Sequence, residues 1–224
     1  VIIAFFICLS FAAPPLEVGA REAVISTIQY GIQPMLDIRV PMRDGVELST
    51  DVFLPKAEGP FPVILFRTPY DNSHERYLKF IRFYVPRGYA FVIQDVRGRG
   101  DSAGEWDPFF NEAKDGKDTL AWIAKQPWSN GKIGMMGGSY CGFVQWAAAS
   151  EGGEFLTCLS STAAVGYESM EEYPYVGGVI MPYAMYWLNY TGAKTLQHGA
   201  LYNWDELYRH KPAIEIDKLV GRLN

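Results

Sequence analysis

Apolar and polar residues alternate on both sides of Arg43-Asp44-Gly45 in the stretch MLDIRVPMRDGVELSTDVFLP, Met35 to Pro55. Alternation marks half-buried strands, and Asp-Gly between two such runs marks a tight turn, so an antiparallel hairpin turning at Asp44-Gly45 is predicted. The pattern then changes. GPFPVILFRTPYDN holds a short, continuously apolar run, Val63 to Phe66, as strands buried on both faces of a parallel sheet require. YLKFIRFYVPRGY takes helical spacing and stops at Pro86 and Gly88. AFVIQDVRGRGDSAG is a second buried strand running into a glycine-rich loop, and NEAKDGKDTLAWIAKQPW is an amphipathic helix ended by Pro127. SNG then turns the chain into a strand over Lys132 to Met136. Strands alternating with helices predict an α/β fold: a mostly parallel sheet with an antiparallel N-terminal hairpin.

The sharpest change of period falls in KIGMMGGSYCGFVQWAAAS, Lys132 to Ser150. A β-run ends at Ser139, and helical spacing begins with Phe143, Val144, Ala147 and Ala148 as its apolar stripe. A serine at such a strand-to-helix turn has the setting of a nucleophile elbow, where a strained residue lifts its hydroxyl above the sheet at the positive end of a helix. Crowding explains Gly137, Gly138 and Gly142, since side chains there would collide with the adjacent strand and helix. The competing reading makes Ser139 an ordinary helix N-cap. The usual elbow is G-x-S-x-G, whereas here Cys141 takes the last position and the glycine follows at Gly142. VRGRGDSAG misses the dinucleotide-binding spacing, EWDPFF follows where a helix should open, and no Walker-type lysine follows, so no nucleotide cofactor is expected.

Composition narrows the class further. With 224 residues, 49% of them apolar, the chain can bury a sizeable core. A net charge of -5 with scattered Lys and Arg leaves no basic field for nucleic acid. Cys8, Cys141 and Cys158 lack CxxC spacing and only three histidines are present, so neither a zinc site nor any other metal is expected; a Cys141–Cys158 disulfide stays open. The run VIIAFFICLSFAAPP is shorter than the roughly 20 residues of a membrane span and ends in small residues. Residues 1–20 therefore read as a signal-peptide-like segment, which implies no stable membrane span and a secreted or periplasmic protein; a buried N-terminal element is the alternative.

Four stretches in order, VPMRDGVELSTDVFLP, RTPYDN, FVIQDVRGRGDSAGEWDPF and GKIGMMGGSYCGFVQWAAA, resemble one family of serine hydrolases. It comprises cocaine esterase, the α-amino-acid ester hydrolases and the X-Pro dipeptidyl-peptidase-like enzymes, and the likeness covers Met35 to about Ala164. The family's elbow is G-x-S-Y-x-G, which GGSYCG matches. The resemblance implies an α/β-hydrolase fold with Ser139 as nucleophile. It also implies an oxyanion hole built from the hydroxyl of Tyr70, in PYD, and the backbone N–H of Tyr140. From the residues alone Tyr70 would simply cap a strand end. Asp95 and Arg97 are expected to form a structural ion pair, and His74 to be a loop residue.

A serine needs a base and the base an orienting acid, in the chain order Ser, Asp or Glu, His. After Ser139 only His198 and His210 remain, with Glu168, Glu171, Glu172 and Asp205 as possible acids. Both histidines sit in aromatic-rich helical stretches, with no strand and short loop to present them. The resemblance places the family's acid and base beyond a helical cap. Accordingly 33–165 reads as the N-terminal part of the catalytic domain and 166–224 as the beginning of the cap, with acid and base expected beyond Asn224. Glu172, in GYESMEEYPYVGG, is a candidate for holding a substrate ammonium, against the plainer reading of a solvated helix turn. The expected activity is hydrolysis of a small-molecule ester, an amide or a short peptide through an acyl-enzyme on Ser139. An X-Pro dipeptidyl-peptidase and a truncated, non-catalytic binding module are the alternatives. No oligomeric state is assigned.

Overall fold

Alternating and continuously apolar runs become strands where their patterns place them. The computed structural model describes residues 26–164, 181–198, 202–211 and 215–220. β1 (Ile32–Pro41) and β2 (Glu47–Pro55) form the antiparallel hairpin. Its turn is closed by the Gly45 N–H donating to the Met42 carbonyl at 2.9 Å and the Met42 N–H donating to the Val46 carbonyl at 2.8 Å. β3 (Phe61–Thr68) lies between β4 (Ala90–Asp95) and β5 (Ser129–Gly138), parallel to both, and β6 (Leu156–Thr162) runs parallel to β5. β2 joins β4 antiparallel, which completes the order β1-β2-β4-β3-β5-β6. The expected runs Val63–Phe66 and Lys132–Met136 are the centres of longer strands. SNG is strand rather than turn, because Phe61 pairs with Ser129 before the register shifts.

Alternation along the inner strands divides the core between two faces. Val63 and Leu65 of β3, Val92 of β4, and Ile133 and Met135 of β5 meet Leu120 and Ile123 of α2 (Glu112–Ala124) and Phe143 and Val144 of α3 (Tyr140–Ser150). Phe66, Phe91 and Ile93 pack on the opposite face against Ile81 of α1 (Leu78–Tyr84) and Tyr77 and Val85 beside it. β4 is buried along its whole length, as its unbroken apolar run requires. Each such side chain contributes ~1.5–3 kcal/mol on leaving water. β1, by contrast, is an exposed edge; a break in pairing between Met35 and Ile38, with Asp37 at φ 55°, interrupts its ladder.

Arg97 does not pair with Asp95. The chain leaves the sheet after Asp95, so the two side chains share no strand face. The Arg97 guanidinium instead bridges Asp44 in the hairpin turn at 2.8 Å and Asp115 on α2 at 2.6 Å. Those carboxylates raise the guanidinium above its usual range. Arg43 adds a second clamp to α2 through Asp118 at 2.8 Å. Asp95 faces the loop after β3, where it accepts the Asn72 N–H at 2.8 Å. Cys141 and Cys158 are both free, one buried and one exposed, so the disulfide left open is not formed.

Among the described residues three helices follow β6: α4 (Pro182–Thr191), α5 (Trp204–Leu207) and α6 (Ile216–Leu219). No helix among the described residues is long and apolar enough to cross a membrane. The expected signal segment 1–20 and the acidic candidates Glu168, Glu171 and Glu172 lie outside the described residues.

Candidate active site

Ser139 stands between β5 and α3 with φ 57° and ψ -127°, a left-handed conformation that a side chain occupies only under strain. Its hydroxyl makes no capping bond to the helix, which removes the N-cap reading. The elbow is pinned through its backbone: the Ser139 N–H donates to the Thr162 carbonyl at 2.9 Å, and its own carbonyl accepts from Gly142 and Phe143. Two glycines make the turn fit. A Cβ on Gly137, where φ is 149°, would lie 2.6 Å from the Cys141 Cβ, and one on Gly142 would lie 2.7 Å from the Ala164 Cβ. Gly138 is not crowded in this way, its nearest contact being 3.4 Å. Gln145, fully buried one turn into α3, donates to the Cys141 carbonyl at 2.9 Å and accepts the Ser160 N–H at 3.1 Å, tying helix to β6.

Parallel neighbours β3 and β5 end on the same side of the sheet, and this brings Tyr70 to Ser139. The chain turns after β3 at Pro69, with the Tyr70 N–H donating to Thr68 Oγ1 at 3.0 Å. The Tyr70 hydroxyl receives the indole N–H of Trp187, from α4, at 3.0 Å. Burial pushes the Tyr70 hydroxyl up to about 12, while the hydrogen bond from Trp187 works the other way. It therefore stays protonated at neutral pH and is able to donate. Tyr140 opens α3, where a backbone N–H has no carbonyl one turn earlier to bond.

Beneath the elbow lies a polar network that the motifs did not reveal. The Tyr140 hydroxyl donates to Glu112 Oε1 at 2.8 Å and accepts the Phe109 N–H at 2.9 Å. Glu112 is in turn paired with Arg67 at 2.9 Å, both side chains being inaccessible to solvent. Arg67 also donates through Nε to Gln94 at 2.9 Å and through Nη1 to the Glu112 carbonyl at 3.0 Å. Burial raises the Glu112 carboxyl, and Arg67 and Tyr140 oppose it. A single signal was present in the sequence: Arg67 is a charge inside a strand that otherwise reads as buried on both faces.

None of the three histidines hydrogen-bonds or ion-pairs with Ser139. His74 caps the turn Glu75–Tyr77, its Nδ1 accepting the Arg76 N–H at 3.1 Å. His198 is exposed, and His210 lies 3.6 Å from Glu215 at the far end of the helical segment. Asp205 is exposed in the first turn of α5. No group of three or more potential metal ligands occurs among the described residues. The site thus unites a strained serine with a tyrosine hydroxyl and a helix N-terminus, an arrangement able to stabilise an oxyanion beside a nucleophile.

A family model described as X-Pro dipeptidyl-peptidase (S15 family) matches residues 44–217. Cocaine esterase from Rhodococcus sp. (strain MB1 Bresler) is 43% identical over 136 residues, 57% of this chain and 23% of its own length. An Xaa-Pro dipeptidyl-peptidase from Ligilactobacillus salivarius (strain UCC118) is 27% identical over 195 residues, 76% of this chain and 24% of its own. Among solved structures, a selenomethionine-labelled α-amino acid ester hydrolase superposes with a TM-score of 0.70 at 24% identity, covering 93% of this chain and 39% of that one. The fold is the expected α/β-hydrolase fold, and the chain spans about a quarter of the length of the curated relatives it matches.

Proposed function

The chain belongs to the X-Pro dipeptidyl-peptidase (S15) family, and we propose that it carries the nucleophile and oxyanion hole of a serine hydrolase acting on carboxylic esters or amides. Ser139 Oγ attacks the substrate carbonyl carbon and gives its proton to a general base. The carbonyl electron pair moves onto oxygen, where the Tyr70 hydroxyl and the Tyr140 N–H receive it. Collapse of this intermediate breaks the bond to the leaving alcohol or amine, which departs with the base's proton. Water then releases the acid by the same path and restores Ser139. Each oxyanion donor is worth ~3 kcal/mol in a site shielded from water.

One observation carries the reading: Ser139 is held at φ 57° with no capping bond at the end of β5, on the same side of the sheet as Tyr70, which follows the parallel neighbour β3. The general base and its acid are not assigned among the described residues, because His74 caps its own turn and neither His198 nor His210 hydrogen-bonds to Ser139. The helices after β6 are assigned to the cap, with Glu172 as its candidate ammonium-binding carboxylate. The identity to cocaine esterase favours ester substrates, and the relation to an Xaa-Pro dipeptidyl-peptidase supports peptide cleavage as the second reading. A panel of p-nitrophenyl esters and Xaa-Pro anilides, given to the full-length protein, separates the two. Faster turnover of esters, abolished by Ser139→Ala, supports the esterase; preference for anilides supports the peptidase. A folded protein that turns over neither class would leave only a binding module.

A further inference from the structure

Tyr70 does not hold its hydroxyl alone. Trp187 comes from α4, 117 residues further along the chain, and is buried with 7% of its surface exposed. Its indole N–H is a donor only, so at 3.0 Å the Tyr70 oxygen must be the acceptor. That commits one lone pair of the phenol oxygen to the indole and restricts the directions its proton can take, leaving that proton for another acceptor. The indole ring also stacks on Tyr140, centroids 5.6 Å apart with planes 22° apart, and on Phe109 at 5.7 Å. Phe109 in turn gives its N–H to the Tyr140 hydroxyl. One side chain therefore touches both residues assigned to the oxyanion hole. Arg99 ties α4 to the same loop, donating to the Pro69 carbonyl at 2.9 Å and to the Thr191 carbonyl at 2.5 Å.

From this geometry we infer that Trp187 is a positioning residue for the oxyanion hole, and that the helical segment helps to assemble the catalytic site by aiming the Tyr70 hydroxyl. A hydroxyl that accepts one hydrogen bond donates the next one more strongly, so the indole both orients and strengthens the donor. The inference rests on the assignment of Tyr70 as oxyanion donor. The test is a double-mutant cycle in the full-length protein with p-nitrophenyl acetate: Trp187→Phe, Tyr70→Phe and the double variant.

Loss of a single hydrogen bond corresponds to a roughly fivefold to tenfold fall in kcat for Trp187→Phe, with KM unchanged. Tyr70→Phe should cost about 10²–10³ in kcat. In the Tyr70→Phe background the Trp187→Phe effect should vanish, because the indole then has no hydroxyl to aim. Equal losses in both backgrounds, or an unchanged kcat for Trp187→Phe beside a damaged Tyr70→Phe, overturn the positioning role and leave Tyr70 in place. An undamaged Tyr70→Phe overturns the oxyanion assignment and the inference with it. Should Trp187→Phe fold poorly, benzothienylalanine at position 187 keeps the ring size and replaces the N–H by sulfur; the same cycle and the same outcomes apply.

Discussion

Arg67→Met addresses the buried support of the site. The guanidinium is inaccessible to solvent, lies 2.9 Å from Glu112 Oε2, and also serves Gln94 and the Glu112 main chain. Methionine fills much of the same volume but leaves Glu112 buried with Tyr140 as its remaining side-chain partner. Breaking one side of a buried pair costs ~3–5 kcal/mol, whereas removing both charges costs far less. At ~2–4 °C per kcal/mol for a domain of this size, Arg67→Met should lower the melting temperature on the order of 6–20 °C. Glu112→Gln alone should be destabilising for the complementary reason, since it strands Arg67. The double variant should recover most of the loss, with a coupling of at least ~2 kcal/mol. Thermal melts and urea titrations of the four full-length proteins at pH 7 measure this. Because Tyr140 hangs on Glu112, kcat should fall in the single variants more than KM changes. Losses that add to within ~0.5 kcal/mol would refute the reasoning, for they would mean that neither charge depends on the other.

Other consequences follow from particular contacts. Gly142→Ala places a Cβ 2.7 Å from Ala164 and 2.9 Å from Ser161 Oγ, so ~1–3 kcal/mol of stability and most activity should be lost; an unchanged melt contradicts the crowding. Burial lifts Asp95 to about 7 from 3.8, so between these values the folded protein holds a proton that the unfolded chain has released. This group's contribution is full below pH 4 and is lost as pH rises through 7, on the order of 4 kcal/mol in all. Melting temperature should therefore fall between about pH 4 and 7 more steeply in the parent than in Asp95→Asn; equal slopes would show that Asp95 does not titrate there. Glu172→Gln should raise KM for α-amino esters and leave plain acyl esters unaffected, whereas equal effects on both remove its role in binding an ammonium.

Local signals carried far in this chain, and long-range ones did not. The hairpin at Asp44-Gly45, the buried runs of β3 and β4, α2, and the elbow at Ser139 are each written within a single short stretch of consecutive residues, where period and glycine placement act directly. Tyr70 meets Ser139 only because β3 and β5 are neighbours in the sheet, and that order is not a local property. Its role was reached through a resemblance. Trp187 and the Arg67–Glu112–Tyr140 network depend on contacts spanning 117, 45 and 28 residues, with no motif at the Trp187 or Glu112 end. Asp95 and Arg97 show the converse error: closeness in sequence suggested a pair, and the chain's exit from the sheet separated it.

The central claim is that Ser139 is the nucleophile. Its most direct test is intact-mass analysis of the full-length protein after exposure to a fluorophosphonate, with Ser139→Ala as control. We expect one adduct, mapped to Ser139 and absent from the variant. A folded parent protein that gains no mass, or an adduct that persists in Ser139→Ala, contradicts the claim.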